Sequence, residues 1–359
     1  MAINRREFLS AVPAGFVALN SLKNAPKNPD VTVYDEAGAL VNDPNFVPAI
    51  LSSVNGHAAT PENKDVNISD DVELRAAIRV IDDGHAIYFS DRDDVGVRKW
   101  DNKQGPLEIY WHEVKAERSS YDYTRPGRGN IRYVEEPVGS GWLFRPEKEL
   151  GTKRYKISVK YGGKKFSSSR GEVPRSNGII KNVHRVSMRE ADDLPGWMTA
   201  WFNLPYVYGS LPEQVENYVG ADCADLIVGA LHRTGRRNIP YTWSQGFNQY
   251  GKTIFRGYMT FGGGFVDLEK RPAHVDVKRG DLLVFKTPSP HVGVFYNDAS
   301  LGQDYAKIVH TYATGGGIAN LFSHSFILEL SEAFHNIKRG SFSGIFDKEV
   351  ARVEVIKLK

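Results

Sequence analysis

Cys223 is the only cysteine in this chain of 359 residues, and it stands in Gly220-Ala-Asp-Cys-Ala-Asp-Leu-Ile-Val228, where a polar turn runs into an apolar segment of helical spacing. A thiol at the first position of a helix lies at the positive end of the macrodipole and beside the unpaired N–H groups of the first turn. Both favour the thiolate, the form that acts as a nucleophile. A lone cysteine is more often a small buried hydrophobe, so its placement alone decides nothing. A cysteine nucleophile also needs a base and a third group that orients the base. Two later histidines meet that need. His291 opens the run His291-Val-Gly-Val-Phe-Tyr296, and His310 lies in Lys307-Ile-Val-His-Thr-Tyr312, where strand alternation puts it on the face of Ile308 and Tyr312. Neighbouring antiparallel strands can bring two such imidazoles together across a long stretch of sequence.

These residues must be held by particular elements. Asp222 is a good N-cap for a helix from Cys223 to about Arg233, which Gly235 would end. Gly280–Phe285, His291–Tyr296 and Lys307–Tyr312 read as strands, and one helix ahead of several strands predicts an α+β arrangement with the helix across an antiparallel sheet. Leu194–Leu204 reads as a short helix whose Trp197, Trp201 and Phe202 form a core face. The section around Gly262-Gly263-Gly264 reads as irregular. Upstream, from Asp30 to about Val186, short β-rich runs alternate with turn clusters: Asp71–Val80, Ala86–Ser90, Leu107–His112, Ile131–Val134 and Arg154–Tyr161. The last alternates Tyr155, Ile157, Val159 and Tyr161 with polar residues and meets Gly162-Gly163, so it predicts a hairpin. This spacing predicts an antiparallel sandwich of the immunoglobulin type. The basic residues between Lys153 and Arg170 read as its solvated face. A boundary is expected between Arg189 and Pro195.

Composition bounds the function. The length exceeds one ordinary core and predicts two domains. A net charge of +3 is too small to imply a polyanion, so no nucleic acid partner is expected. With 41% hydrophobic and 25% charged residues, and no internal run of spanning length, no integral membrane segment is expected apart from the signal itself if it stays uncleaved. Residues 1–25, with Arg5-Arg6-Glu7-Phe8-Leu9 ahead of a modest apolar stretch, read as an export signal similar to the twin-arginine type, which places the protein in the periplasm or at the cell surface. Cysteines in an oxidising compartment usually pair, and a solitary one cannot form an intramolecular disulfide, which favours a reactive role. The remaining histidines show no metal-ligand spacing, and Gly315-Gly-Gly317 lacks the lysine of a phosphate loop. No metal and no cofactor are expected.

Five segments occur in order: Pro205-Tyr-Val-Tyr-Gly209, Asp222-Cys-Ala-Asp-Leu226, Arg279-Gly-Asp-Leu-Leu-Val-Phe285, His291-Val-Gly-Val-Phe295 and Ile308-Val-His310. Together, over Leu194 to Tyr312, the chain resembles the NlpC/P60 cysteine peptidases. The resemblance implies a papain-like fold, with Cys223 as nucleophile, His291 as general base and acid, and His310 as the orienting residue. It suggests Tyr206 near the developing oxyanion, and a cell-wall stem peptide as substrate. One departure matters: where the family commonly has Asp-Cys-Ser-Gly, Ala224 and Asp225 follow the cysteine here. Two carboxylates flanking the sulfur oppose thiolate formation. Asp225 is either a first-turn residue facing solvent or, with Asp222, a contact for a substrate ammonium group.

The expected fold class is therefore an α+β papain-like (NlpC/P60-type) catalytic domain at 191–359, preceded by an all-β, immunoglobulin-like sandwich at 26–190 and the signal at 1–25. The expected function is an exported peptidase hydrolysing an amide bond in peptidoglycan peptides. Amidase or acyltransferase chemistry with the same residues, and a non-catalytic wall-binding protein, are the alternatives.

Overall fold

The computed structural model describes residues 33–34, 40–41, 46–82, 85–100, 106–116, 133–168, 183–207, 209–260, 264–286, 290–301, 306–311, 326–329 and 350–359. Among the described residues the first part of the chain shows thirteen strands: β1 (Val33–Tyr34), β2 (Leu40–Val41), β3 (Val47–Val54), β4 (Lys64–Asn67), β5 (Val72–Asp82), β6 (His85–Ser90), β7 (Val97–Lys99), β8 (Glu108–Ala116), β9 (Tyr133–Ser140), β10 (Leu143–Phe144), β11 (Gly151–Tyr161), β12 (Lys164–Ser167) and β13 (His184–Arg189). They build two sheets. In one, β11 is the hub and pairs with β12, β13 and β8; in the other, β5 joins β3, β6 and β10. Gly162 (φ 56°) and Gly163 (φ 76°) both lie in the left-handed region that a two-residue hairpin demands, and Tyr161 pairs with Lys164 across that turn. Leu74 and Ile78 from one sheet share a core with Trp111, Ile157 and Val159 from the other. The sheets are not the purely antiparallel sandwich of immunoglobulin type that alternation predicted, because β4 pairs parallel with β13 and β6 parallel with β7. Alternation reports which face of a strand is buried and is blind to the direction of its neighbour.

Among the described residues α1 (Leu194–Met198), α2 (Pro212–Glu216) and α3 (Cys223–Arg233) follow. Then come β14 (Gly251–Thr260), β15 (Phe265–Asp267), β16 (Val275–Val277), β17 (Leu282–Phe285), β18 (His291–Phe295), β19 (Ala299–Leu301), β20 (Lys307–His310), β21 (Phe326–Glu329) and β22 (Val350–Leu358). Seven of these make an antiparallel sheet in the order β15-β14-β22-β17-β18-β20-β21, and β16 and β19 pair separately. One face carries Leu282, Val284, Val292, Val294, Val309 and Ile356 against the apolar side chains of α3. The opposite face carries Leu283, Phe285, Phe295 and Ile308 in a second core, closed by Val275, Val277 and Leu301 from the β16–β19 pair.

The α+β papain-like fold class is corrected by this architecture. Twenty-two strands stand among the described residues against one α-helix longer than five residues, so these residues are predominantly β. The longest pairing of the C-terminal sheet, β14 with β22, joins a stretch read from sequence as irregular to the last residues of the chain. Each strand is stabilised by a partner distant in sequence, which local pattern does not reveal.

The apolar cores separate along the chain between Met188 and Leu194. Arg279 fastens this connection, donating to Asp193 Oδ2 at 2.6 Å and to Glu190 Oε2 at 3.2 Å. Among the described residues no helix is long and apolar enough to cross a membrane.

Candidate active site

α3 begins where the sequence requires. The Asp222 carboxylate takes up two first-turn donors, the N–H groups of Ala224 (3.1 Å) and Asp225 (2.9 Å), and its second oxygen accepts from Gly209 N–H at 3.2 Å. The helix stops in a Schellman arrangement: Gly235 at φ 93° donates to His232 O, and Arg236 donates to Leu231 O. Cys223 through Leu231 are all buried, as expected of a helix that packs on more than one side. Gly229 permits that packing. A Cβ there would lie 2.5 Å from Val215 Cγ1 and 3.2 Å from a Trp201 ring atom.

Cys223 therefore sits at the first helical position, 8% exposed. The backbone N–H groups of Val292, at the start of β18, and of its neighbour Ala224 both favour its thiolate form. The helix N-terminus thus meets the sheet at the strand that His291 opens. Pairing between β18 and β20 is at Val294–Val309 and Phe295–Ile308. Continued by one residue, that register places His310 beside Gly293. Alternation sets His291, Gly293 and His310 on the face of Phe285 and Ile308, the opposite face to that packed by α3. There His291 Nε2 and His310 Nδ1 are 2.9 Å apart in a hydrogen bond, with the rings nearly perpendicular at 75°. Gly293 leaves the room for this: a Cβ on it would stand 3.3 Å from His310 Cβ and 3.1 Å from Ile308 Cδ1. Phe285 flanks the His291 ring at 5.8 Å between centroids.

Burial sets the charge state of the group. Loss of water pushes the Cys223 thiol well above its ordinary range; the Asp222 carboxylate adds to this, as does that of Asp225, and the Val292 and Ala224 N–H groups oppose it only in part. The thiolate expected from the helix end is thereby outweighed at rest. Burial lowers His291 to about 3, and burial with the neighbouring His291 lowers His310 well below the usual imidazole value. Near neutral pH the site holds a thiol and two uncharged rings in a dry setting.

The flanking residues differ from their sequence reading. Asp225 does not face solvent: it is 0% exposed, and its Oδ2 accepts from the Ser210 hydroxyl at 2.6 Å. Ser210 Oγ in turn accepts from Asp222 N–H at 3.1 Å, so one hydroxyl ties both carboxylate residues together. Sequence reasoning passed over Ser210, whose only signal was a hydroxyl directly after Pro-Tyr-Val-Tyr-Gly. Tyr206 is buried and bridges in parallel to Ala221, two residues before the cysteine, and Val207 N–H donates to Ala221 O at 3.1 Å. That places the Tyr206 segment beside the N-terminus of α3. The signal at 1–25, Tyr208, Tyr312 and the turn Gly315–Gly317 lie outside the described residues.

Compared with protein-family models, the chain matches none. A search of the curated proteins finds no match either.

Proposed function

We propose that this chain is a cysteine hydrolase that cleaves an amide bond, with Cys223 as nucleophile, His291 as base and acid, and His310 as the group orienting His291. The observation that carries the reading is the 2.9 Å His291–His310 hydrogen bond at the start of the strand whose next N–H, that of Val292, favours the Cys223 thiolate. The chemistry requires the tautomer in which His291 Nε2–H donates to His310 Nδ1, and it requires the His291 ring, which alternation sets on the sheet face opposite α3, to reach round the start of β18 so that its Nδ1 accepts the thiol proton. As sulfur bonds to the substrate carbonyl carbon, that proton passes to His291, and the Cys223 N–H at the start of α3, which the Asp222 carboxylate does not take up, serves the developing oxyanion. His291 then protonates the departing amine, leaving a thioester. Water, giving its proton to His291, attacks the thioester; the acid is released and the proton returns to sulfur.

The substrate we propose is a peptide stem of the bacterial cell wall, reached by export through residues 1–25. The support is the ordered set of segments similar to NlpC/P60 peptidases. Incubation with purified wall peptides should give new amino termini by mass spectrometry, and Cys223→Ala should give none. Equal turnover by that variant would overturn the assignment. Transfer of the acyl group to an added amine would point to acyltransferase chemistry with the same residues.

One observation favours a second reading, a wall-binding protein without catalysis: the thiol is buried and held protonated, first by that burial and then by the carboxylates of Asp222 and Asp225. Iodoacetamide near neutral pH separates the two readings. A thiol that resists alkylation in the folded protein, together with an inert His291→Ala substitution, belongs to the binding reading.

A further inference from the structure

We propose that the N-terminal sheets act as a clamp on the nucleophile helix, gripping the segment that leads into α3 and its C-terminal end at once. Arg154, Asp65 and Arg185 are then positioning residues for Cys223. This rests on the reading of Cys223 as nucleophile.

At the end of α3, Arg233 Nη1 donates to Asp65 Oδ2 on β4 at 3.0 Å, and the other oxygen of Asp65 is held by Arg185 on β13. Ahead of the helix, Arg154 on β11 donates to the backbone carbonyls of Asn217, at 3.3 Å, and Tyr218. Tyr218 is the centre of the contact. Its ring is fully buried and stacks on Trp201 at 4.3 Å between centroids, and the Arg185 guanidinium lies over it at 4.1 Å. Its backbone is left-handed, φ 55°, a conformation that a bulky residue keeps only where its surroundings over-determine it. The buried arginine, the stacked indole and the two carbonyl contacts supply that constraint.

The four residues between Tyr218 and Cys223 have little slack with which to absorb a displacement. Val219 N–H is tied to Gln214 O at 2.8 Å. Gly220 lies so close to its neighbours that a Cβ would meet Val207 Cγ2 at 2.5 Å and Pro205 O at 2.7 Å. Ala221 O receives Val207 N–H, and Asp222 N–H is bound by Ser210. A shift of the Tyr218 carbonyl is therefore passed to the sulfur. Arg154 addresses main-chain carbonyls, so it fixes where this backbone runs.

The test uses the full chain, a wall peptide and iodoacetamide. Arg154→Ala should lower kcat by about 10- to 100-fold with KM within about twofold, since a misplacement of about 1 Å at a reacting group costs that order. The pH profile of Cys223 alkylation should move with it. Asp65→Asn, which keeps the side-chain shape and removes the charge holding Arg233, should move both readouts in the same direction. Ile78→Val, in the N-terminal core away from the clamp, should leave both unchanged. Folded Arg154→Ala and Asp65→Asn proteins with wild-type kcat and a wild-type alkylation profile would overturn the clamp. If Arg154→Ala does not fold, Asp65→Asn decides by the same measurements. Should the unaltered protein show no Cys223-dependent turnover, the hydrolase reading falls, and the alkylation profiles still decide whether the N-terminal sheets set the state of the thiol.

Discussion

In the N-terminal sheets, Lys156 and Arg185 are buried as ion pairs, against Glu135 and Asp65; in the C-terminal sheet, His291 and His310 are buried uncharged and held against each other. His184, at the start of β13, sharpens the contrast. It too is lowered to about 3, by burial and then by its neighbours Arg185 and Lys64, whereas burial alone lowers His291. A depressed imidazole is therefore no mark of a catalytic site by itself. The difference lies in what a proton would meet. On His184 it would face two cations; on His291 it would enter a ring whose other nitrogen can be stabilised by His310.

The largest expected effect breaks or upholds that distinction directly. His291→Ala should lower kcat/KM on a wall peptide by roughly 10³-fold, the scale of losing a general base. His184→Ala should leave turnover within about threefold and lower stability by about 1–3 kcal/mol through the cavity it creates. Parallel kinetics and urea titrations make the comparison. Equal losses of turnover from the two substitutions would mean that burial, and not the His310 contact, is what the two sites have in common.

The same pair of histidines gives a pH prediction. In the unfolded chain an imidazole takes its proton near pH 6.5, while folded His184 does so only at about 3. Between those values the unfolded state binds more protons. Stability from this source is complete above pH 6.5 and is lost as pH falls towards 3, at about 1.4 kcal/mol per pH unit for each such ring. Urea titrations at pH 6 and pH 5 should show His184→Gln with a slope flatter by about that amount. An unchanged slope would place His184 in contact with water and remove it as the matched control for His291.

How much of this was legible in sequence follows the range of the interactions. The cap at Asp222, the span Cys223–Arg233 and the terminator Gly235 are local signals, and the helix follows them. The hairpin at Gly162-Gly163 is local as well. What sequence did not disclose is set by distant partners: the β14–β22 pairing, the parallel neighbours of β13 and β6, and the contact of Arg154 with Tyr218. The site divides in the same way. His291 and His310 could be named from strand alternation, but the thiol's charge state could not, because dehydration acts through every element packed around α3.

Gly293→Ala probes the room left for the imidazole pair. The new methyl would press on His310 Cβ and Ile308 Cδ1. If His310 orients His291, kcat should fall by about tenfold with KM little changed, while the packing strain costs about 1–2 kcal/mol. Combined with His310→Gln, the two losses should fall well short of additive. Full additivity would show that the glycine serves the sheet and not the pair.

Asp225→Asn carries the smallest expected effect and addresses the thiol itself. Asp222 raises the thiol more strongly, but its carboxylate caps α3, so removing it confounds charge with a lost cap worth about 1 kcal/mol. At Asp225 the amide keeps an oxygen for the Ser210 hydroxyl and takes away only the charge. The thiol should then ionise more readily: a downward move of half a pH unit in the alkylation midpoint corresponds to about threefold faster reaction at a pH below it. The sign is the informative part. A lower midpoint means that the carboxylate is ionised beside the sulfur and restrains it at rest. An unchanged midpoint means that dehydration and Asp222 hold the proton on sulfur, and that the Ser210–Asp225 contact serves to seat the helix end.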